Sequence, residues 1–169
     1  RMVTGVQTCA LPIYLPGSFA VAAVDINNKR GDFSKLGPSP WDPKMIKPEI
    51  SAPGVNIRSS VVGGYEGGWN GTSMAAPHVS GIAALMKSAN FSLTVDEIET
   101  IIKETATKLT DNEYTESPNM GYGFGLINAY DTVSKVLGVG TGTIEGQVLI
   151  SGEDKRSEEH TSELQSPSG

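Results

Sequence analysis

Apolar positions along this 169-residue chain fall first into short runs between turn-forming residues and later into helically spaced stripes. Phe19 to Val24 is an unbroken apolar run and predicts a buried strand of an α/β sheet. Asp25 to Lys29 (DINNK) predicts a turn, and Phe33 to Trp41, with Gly37, Pro38 and Pro40, a loop. Glu49 to Ala52 reads as a short strand ending at Pro53-Gly54, and Val55 to Val62 as another, with Val55, Ile57 and Val61 among polar residues. Gly63 to Gly71 reads as a glycine-rich loop. Residues 72 to about 88 predict a helix that is apolar nearly all round, a pattern that belongs in a domain interior. Pro77 stands near its first turn, where a missing N–H costs little.

Thr94-Val95-Asp96-Glu97 is a capping box and opens a helix expected to run to about Lys108, with Val95, Ile98, Ile101 and Ile102 as its apolar stripe. Residues 110 to 122 read as polar loop. Ala129 to Leu137 predicts a last helix, capped by Asn128 and ended by Gly138. Gly138 to Gly142 reads as a linker, and residues 138–155 as linker plus the start of a β module: Thr143 to Ile150 alternates in part, as a strand does. That strand fits either the first strand of a separate β-sandwich or a last strand of the preceding domain.

The two ends differ from the rest. Residues 3–13 (VTGVQTCALPI) and 156–166 (RSEEHTSELQS) can both be encoded by one sequencing-adapter oligonucleotide read on opposite strands. Segments 1–13 and 156–169 are therefore read as adapter artefact and set aside from fold reasoning, as fusion scars are. This changes the composition. The only cysteine, Cys9, and one of the two histidines, His160, fall in the ends; residues 14–155 keep one histidine, His78, and a net charge of −5. Disulfide and thiol chemistry drop out. A mildly acidic chain without a basic cluster argues against nucleic acid, and no run of 18 apolar residues is present to span a membrane.

Ser73 is the residue that carries chemistry. Glycines 63, 64, 67, 68 and 71 lead to a serine in the first turn of an apolar helix. There, free N–H groups and the positive end of the helix dipole favour a developing negative charge. A serine nucleophile also needs a base, and His78 is a poor one. Five residues along a helix is a rotation of about 500°, or about 140° off the same face, with a rise of about 7.5 Å. His78 therefore reads as structural. Asp25 and Asp32 have no assigned role; Asp25 opens a turn, as Asp does without any chemistry. Asn70 reads as a turn residue rather than an oxyanion donor. Thr72 fits a helix cap, and Gly71 and Thr72 are candidates for positioning the loop.

The segment Gly71-Thr-Ser-Met-Ala-Ala-Pro-His-Val-Ser-Gly81 resembles the serine block of the subtilisin-like serine peptidases (subtilases). "AVAAVDINNKRGDFSKLGPSP", "KPEISAPGVNIRSS" and "GYGFGLINAYDTV" extend the likeness over roughly residues 14–137, and within the family the bacillopeptidase F-type members are most similar. The resemblance implies the C-terminal half of a three-layer α/β domain with a largely parallel sheet, residues 14–137, followed by the first strand of a β-sandwich module. It implies a secreted serine endopeptidase acting on polypeptides, with Ser73 as nucleophile and its backbone N–H as an oxyanion donor. The family's catalytic Asp, His and oxyanion Asn precede the serine block, and no Asp-Ser/Thr-Gly or His-Gly-Thr segment occurs here. The chain alone is expected to be inactive, and its apolar helix to show an uncovered face. No cofactor is expected; calcium is common in the family, but no cluster here supports it. The alternatives are a non-catalytic subtilase-like interaction domain, an α/β-hydrolase elbow (which needs Gly where Ala75 stands) and an anion-binding loop (a P-loop needs Lys where Gly71 stands).

Overall fold

A computed structural model describes residue 15 and residues 17–138. The expected strand at Thr143–Ile150, most of the linker before it and both terminal segments, with Cys9 and His160, lie outside the described residues. Four strands and three helices follow one another: β1 (Val21–Val24), β2 (Ile50–Pro53), β3 (Ile57–Val61), β4 (Gly64–Trp69), α1 (Thr72–Ala89), α2 (Val95–Glu104) and α3 (Ala129–Leu137).

β1 and β2 pair in parallel, Val21 opposite Ile50 and Val24 opposite Pro53. The apolar run at 19–24 thus forms the buried parallel strand its composition predicts. The chain leaves β1 through a turn in which Asp25 Oδ1 accepts from the N–H groups of Asn27 (2.8 Å) and Lys29 (2.9 Å). The sheet continues beyond β2 through single bridges: Ser51 pairs with Leu126 in parallel, and Leu126 with Thr107 antiparallel. Gly125 makes this possible. Its φ is +130°, and a Cβ there would stand 2.1 Å from the Thr107 carbonyl oxygen, so only glycine passes.

α1 lies on this sheet. Ala75, Val79, Ile82 and Met86 are buried against Ala23, Ile50 and Ala52, with Leu93, Ile98 and Ile102 completing the core. Each Val, Ile or Met side chain so buried contributes about 1.5–3 kcal/mol. The helix is not interior all round, as its composition predicted. Ala76, Pro77, Gly81, Ala84 and Leu85 on its other side are exposed, Leu85 to 53%. The described residues cover only one side of it, in line with the uncovered face expected of a part-domain.

Four further details differ from the sequence pattern. The stretch read as loop, 63–71, contains β4, which pairs antiparallel with β3 through the two-residue turn Val62-Gly63. Backbone pairing needs no side chain, so glycine-rich composition hid the strand, while Tyr65 and Trp69 favour it. The strand read at Val55–Val62 is correspondingly shorter, Ile57–Val61. α2 ends at Glu104 rather than Lys108, because Thr107 is drawn into the bridge with Leu126. Val95 is 68% exposed, outside the stripe that Ile98 and Ile102 bury. The capping box itself is formed: Thr94 Oγ1 accepts from the Glu97 N–H and the Glu97 carboxylate from the Thr94 N–H. Asn128 caps α3 by accepting from the Asp131 N–H at 3.0 Å, and Gly138 closes it in the left-handed conformation, as expected.

Candidate active site around Ser73

The C-terminal ends of β1 and β2 set the position of the serine loop. The Gly54 N–H, just past β2, donates to the Val24 carbonyl at 3.0 Å, and the Gly54 carbonyl accepts from the Gly71 N–H at 2.8 Å. The backbones are close: a Cβ on Gly54 would lie 2.6 Å from the Ala23 Cβ, 2.8 Å from the Gly71 carbonyl oxygen and 3.1 Å from the Ala75 Cβ. Gly71 is the N-cap residue of α1, and its carbonyl accepts from the N–H groups of Met74 (3.0 Å) and Ala75 (3.3 Å). The sheet edge thus grips the residue two before Ser73, and the helix starts from that grip.

Ser73 is the second residue of α1 and is exposed, while Ala75, two residues on, is fully buried. The first turn carries no acidic residue and no side-chain cap. With no acidic side chain in that turn, an oxyanion forming beside Ser73 would meet the positive end of the helix dipole. Thr72 does not cap the helix. The chain is already helical at Thr72, one residue past the position from which a hydroxyl can reach the free N–H groups, and Gly71 holds that position without a side chain.

Asn70 is more than a turn residue. Its Oδ1 accepts from the Asn56 N–H at 2.8 Å and its Nδ2 donates to the Gly68 carbonyl at 3.1 Å. Nothing local in the sequence marks this pairing across 14 residues. Its signal is Asn56 itself, a residue tolerant of the left-handed backbone (φ +55°) that it adopts just before β3.

His78 is exposed, and its Nδ1 lies 2.9 Å from the Met74 carbonyl oxygen, one turn back on its own helix. That contact fits the structural reading. Asp25 serves its turn, and Asp32 is exposed in the loop that follows. Among the described residues no group of three or more His, Cys, Asp or Glu side chains could hold a metal ion, and no helix is long and apolar enough to cross a membrane. A surface pocket of about 380 Å³, lined by residues such as Asn28, Lys29, Asp111 and Tyr122, contains none of Gly71, Thr72 and Ser73.

A second buried polar feature supports the sheet. Lys47 is fully buried; its Nζ donates to the Ser18 carbonyl at 2.6 Å and to the Glu49 carboxylate, whose other oxygen accepts from the Ala20 N–H at 2.7 Å. Burial pushes the Glu49 carboxyl above its ordinary range, and the bonds from Lys47 and Ala20 pull it part of the way back. The pair ties the entry to β1 to the entry to β2.

Comparison with known proteins places these features in a family. The profile of the subtilase family, peptidase S8, matches residues 3–125. Bacillopeptidase F of Bacillus subtilis (strain 168) is 59% identical over 152 residues, covering 89% of this chain and 10% of that protein. A thermostable alkaline protease of Halalkalibacterium halodurans is 44% identical over 126 residues, 75% of this chain and 31% of that protein. Subtilisin E of Bacillus subtilis (strain 168) is 39% identical over 122 residues, 72% of this chain and 28% of that protein. Among solved structures, the CspB protease of Clostridium perfringens superposes with a TM-score of 0.64 at 29% identity, over 75% of this chain and 28% of that one. The matched region thus spans between a tenth and a third of these relatives' length.

Proposed function

Because the chain belongs to the subtilase family, we propose that it is the serine-bearing part of a secreted serine endopeptidase and that Ser73 is the nucleophile. One observation carries the reading. Ser73 is exposed in the first turn of α1, with no acidic residue in that turn, on a loop held by the sheet through Gly71 and Gly54.

The chemistry follows from that placement. The Ser73 Oγ attacks the carbonyl carbon of a peptide bond, and the negative charge that develops on the carbonyl oxygen faces the helix N-terminus. The C–N bond then breaks, leaving an ester on Ser73 and an amine that departs with the serine's proton. Water hydrolyses the ester and restores the hydroxyl. The sequence is redox-neutral and needs no cofactor. The base, its orienting carboxylate and a second oxyanion donor come, in this reading, from parts of the protein outside this segment. Gly71 and Thr72 position the loop. The substrate is a polypeptide, and action outside the cell is part of the same reading, supported by the likeness to the family.

Peptide hydrolysis by the full-length protein that carries this segment is the test. Ser73→Ala is expected to lower kcat by on the order of 10⁶, the measured cost of losing this group in subtilisin. Residues 1–169 alone are expected to give no turnover. Full activity of the alanine variant, or turnover by the segment alone, contradicts the proposal.

A further inference from the structure

We propose that Asn70 is a positioning residue for Ser73, a role that rests on the peptidase reading above. In the β3–β4 ladder the last paired residues at the open end are Ile57 and Trp69. One step further, an antiparallel ladder would be continued by backbone groups of Asn56 and Asn70. Here the Asn70 side chain takes that place. Its Oδ1, standing in for a backbone carbonyl, accepts from the Asn56 N–H at 2.8 Å, and its Nδ2 ties back to the Gly68 carbonyl at 3.1 Å.

The substitution of side chain for backbone has a consequence for the loop. The Asn70 backbone is released from the ladder and can turn at once into Gly71, whose N–H reaches the Gly54 carbonyl at 2.8 Å. Both ends of this turn are thereby fixed. Asn70 is anchored to the hairpin on one side, and Gly71 to the end of the parallel sheet on the other. Ser73 follows two residues later, inside the first helical turn. Asn56 and Gly68 hold left-handed backbones, φ +55° and φ +81°, so the two chain points that Asn70 joins are themselves in tight conformations. Without the amide, the natural fallback is pairing of the Asn70 backbone with Asn56. That would pull Gly71 off Gly54 and shift the start of α1.

Asn70 touches neither substrate nor a reacting atom in this scheme, so its loss should appear in the chemical step and not in binding. A misplacement of about 1 Å at a reacting group costs on the order of 100-fold in rate. The experiment compares wild type, Asn70→Ala, Asn70→Asp and Ser73→Ala in the full-length protein. kcat is expressed per active site titrated with a burst substrate, which corrects for unfolded molecules, and circular dichroism reports folding. Asp keeps the acceptor for the Asn56 N–H, loses the bond to Gly68 and sets a carboxylate oxygen against the Gly68 carbonyl. The expected result is a kcat at least about tenfold lower for Asn70→Ala, KM within about twofold of wild type, and recovery of part of the loss by Asn70→Asp. An unchanged kcat, a change confined to KM, or a loss of rate or folding that Asp restores in no part overturns the proposal. Activity that survives in Ser73→Ala, or its absence in wild type, instead overturns the peptidase reading, and so the two failures are distinguishable.

Discussion

Lys47 is a fully buried cation whose worth depends on its partner's charge. Its ammonium group has the Ser18 carbonyl and the Glu49 carboxylate as partners, with the Ala20 N–H on the carboxylate's other oxygen. Removing one member of such a pair leaves the other buried and uncompensated, so Lys47→Met is expected to cost about 3–5 kcal/mol at neutral pH. The pH dependence has a definite sign. Burial raises the Glu49 carboxyl, and loss of Lys47 raises it further. For an acid whose folded pKa lies above its unfolded value, the folded state binds the proton more tightly. That contribution is fully present below the unfolded pKa and is lost as pH rises through the folded one. The deficit of Lys47→Met should therefore shrink as pH falls toward about 4, where a protonated Glu49 needs no cation. Denaturant unfolding of both proteins across that range measures it; a deficit constant with pH contradicts the account. The glycine at position 54 makes the complementary point about space. It is legible in sequence only as the end of a strand, yet the structure makes it the spacer that lets β1, the serine loop and α1 meet.

At the scale of elements, the patterns that rest on side-chain periodicity came through and those that rest on backbone pairing did not. The run at 19–24, the cap at Thr94 and the Asn128–Gly138 helix are all present because burial and capping leave marks in residue type. β4 and the single-residue bridges at Leu126 and Thr107 are held by backbone groups, which every residue has, and glycine composition disguised them. The Asn70–Asn56 contact was hidden for a related reason: its partner is an N–H, not a side chain. α1 is the instructive intermediate. Its sequence is apolar on every side, whereas the described residues bury only the side of Ala75, Val79, Ile82 and Met86. A helix of this composition is stable as part of a larger core in which the outer side is covered too. In the full-length protein, Leu85→Glu is therefore expected to lose at least about 2 kcal/mol in thermal or denaturant unfolding, the scale for burying an unpaired charge or polar group. A change within about 0.5 kcal/mol, typical of a solvent-facing site, would show that the outer side of α1 stays wet.

At the largest scale, the proposed function makes this chain the serine-bearing part of a larger catalytic domain. A parallel β1–β2 pair, extended by Leu126 and Thr107, backs an apolar helix whose N-terminus presents Ser73. The sequence motif gave the serine; the structure adds how it is held, through Gly54, Gly71 and Asn70. His78 is turned to the Met74 carbonyl of its own helix. On the proposed reading, Ser73 becomes a nucleophile in the assembled subtilase domain. The most direct measurement is covalent labelling of the full-length protein with a fluorophosphonate, the adduct being located by peptide mass spectrometry. One phosphonyl group is expected, on Ser73, and no adduct in Ser73→Ala or in residues 1–169 alone. An unlabelled Ser73 in the folded full-length protein, or an adduct on another residue, would contradict it.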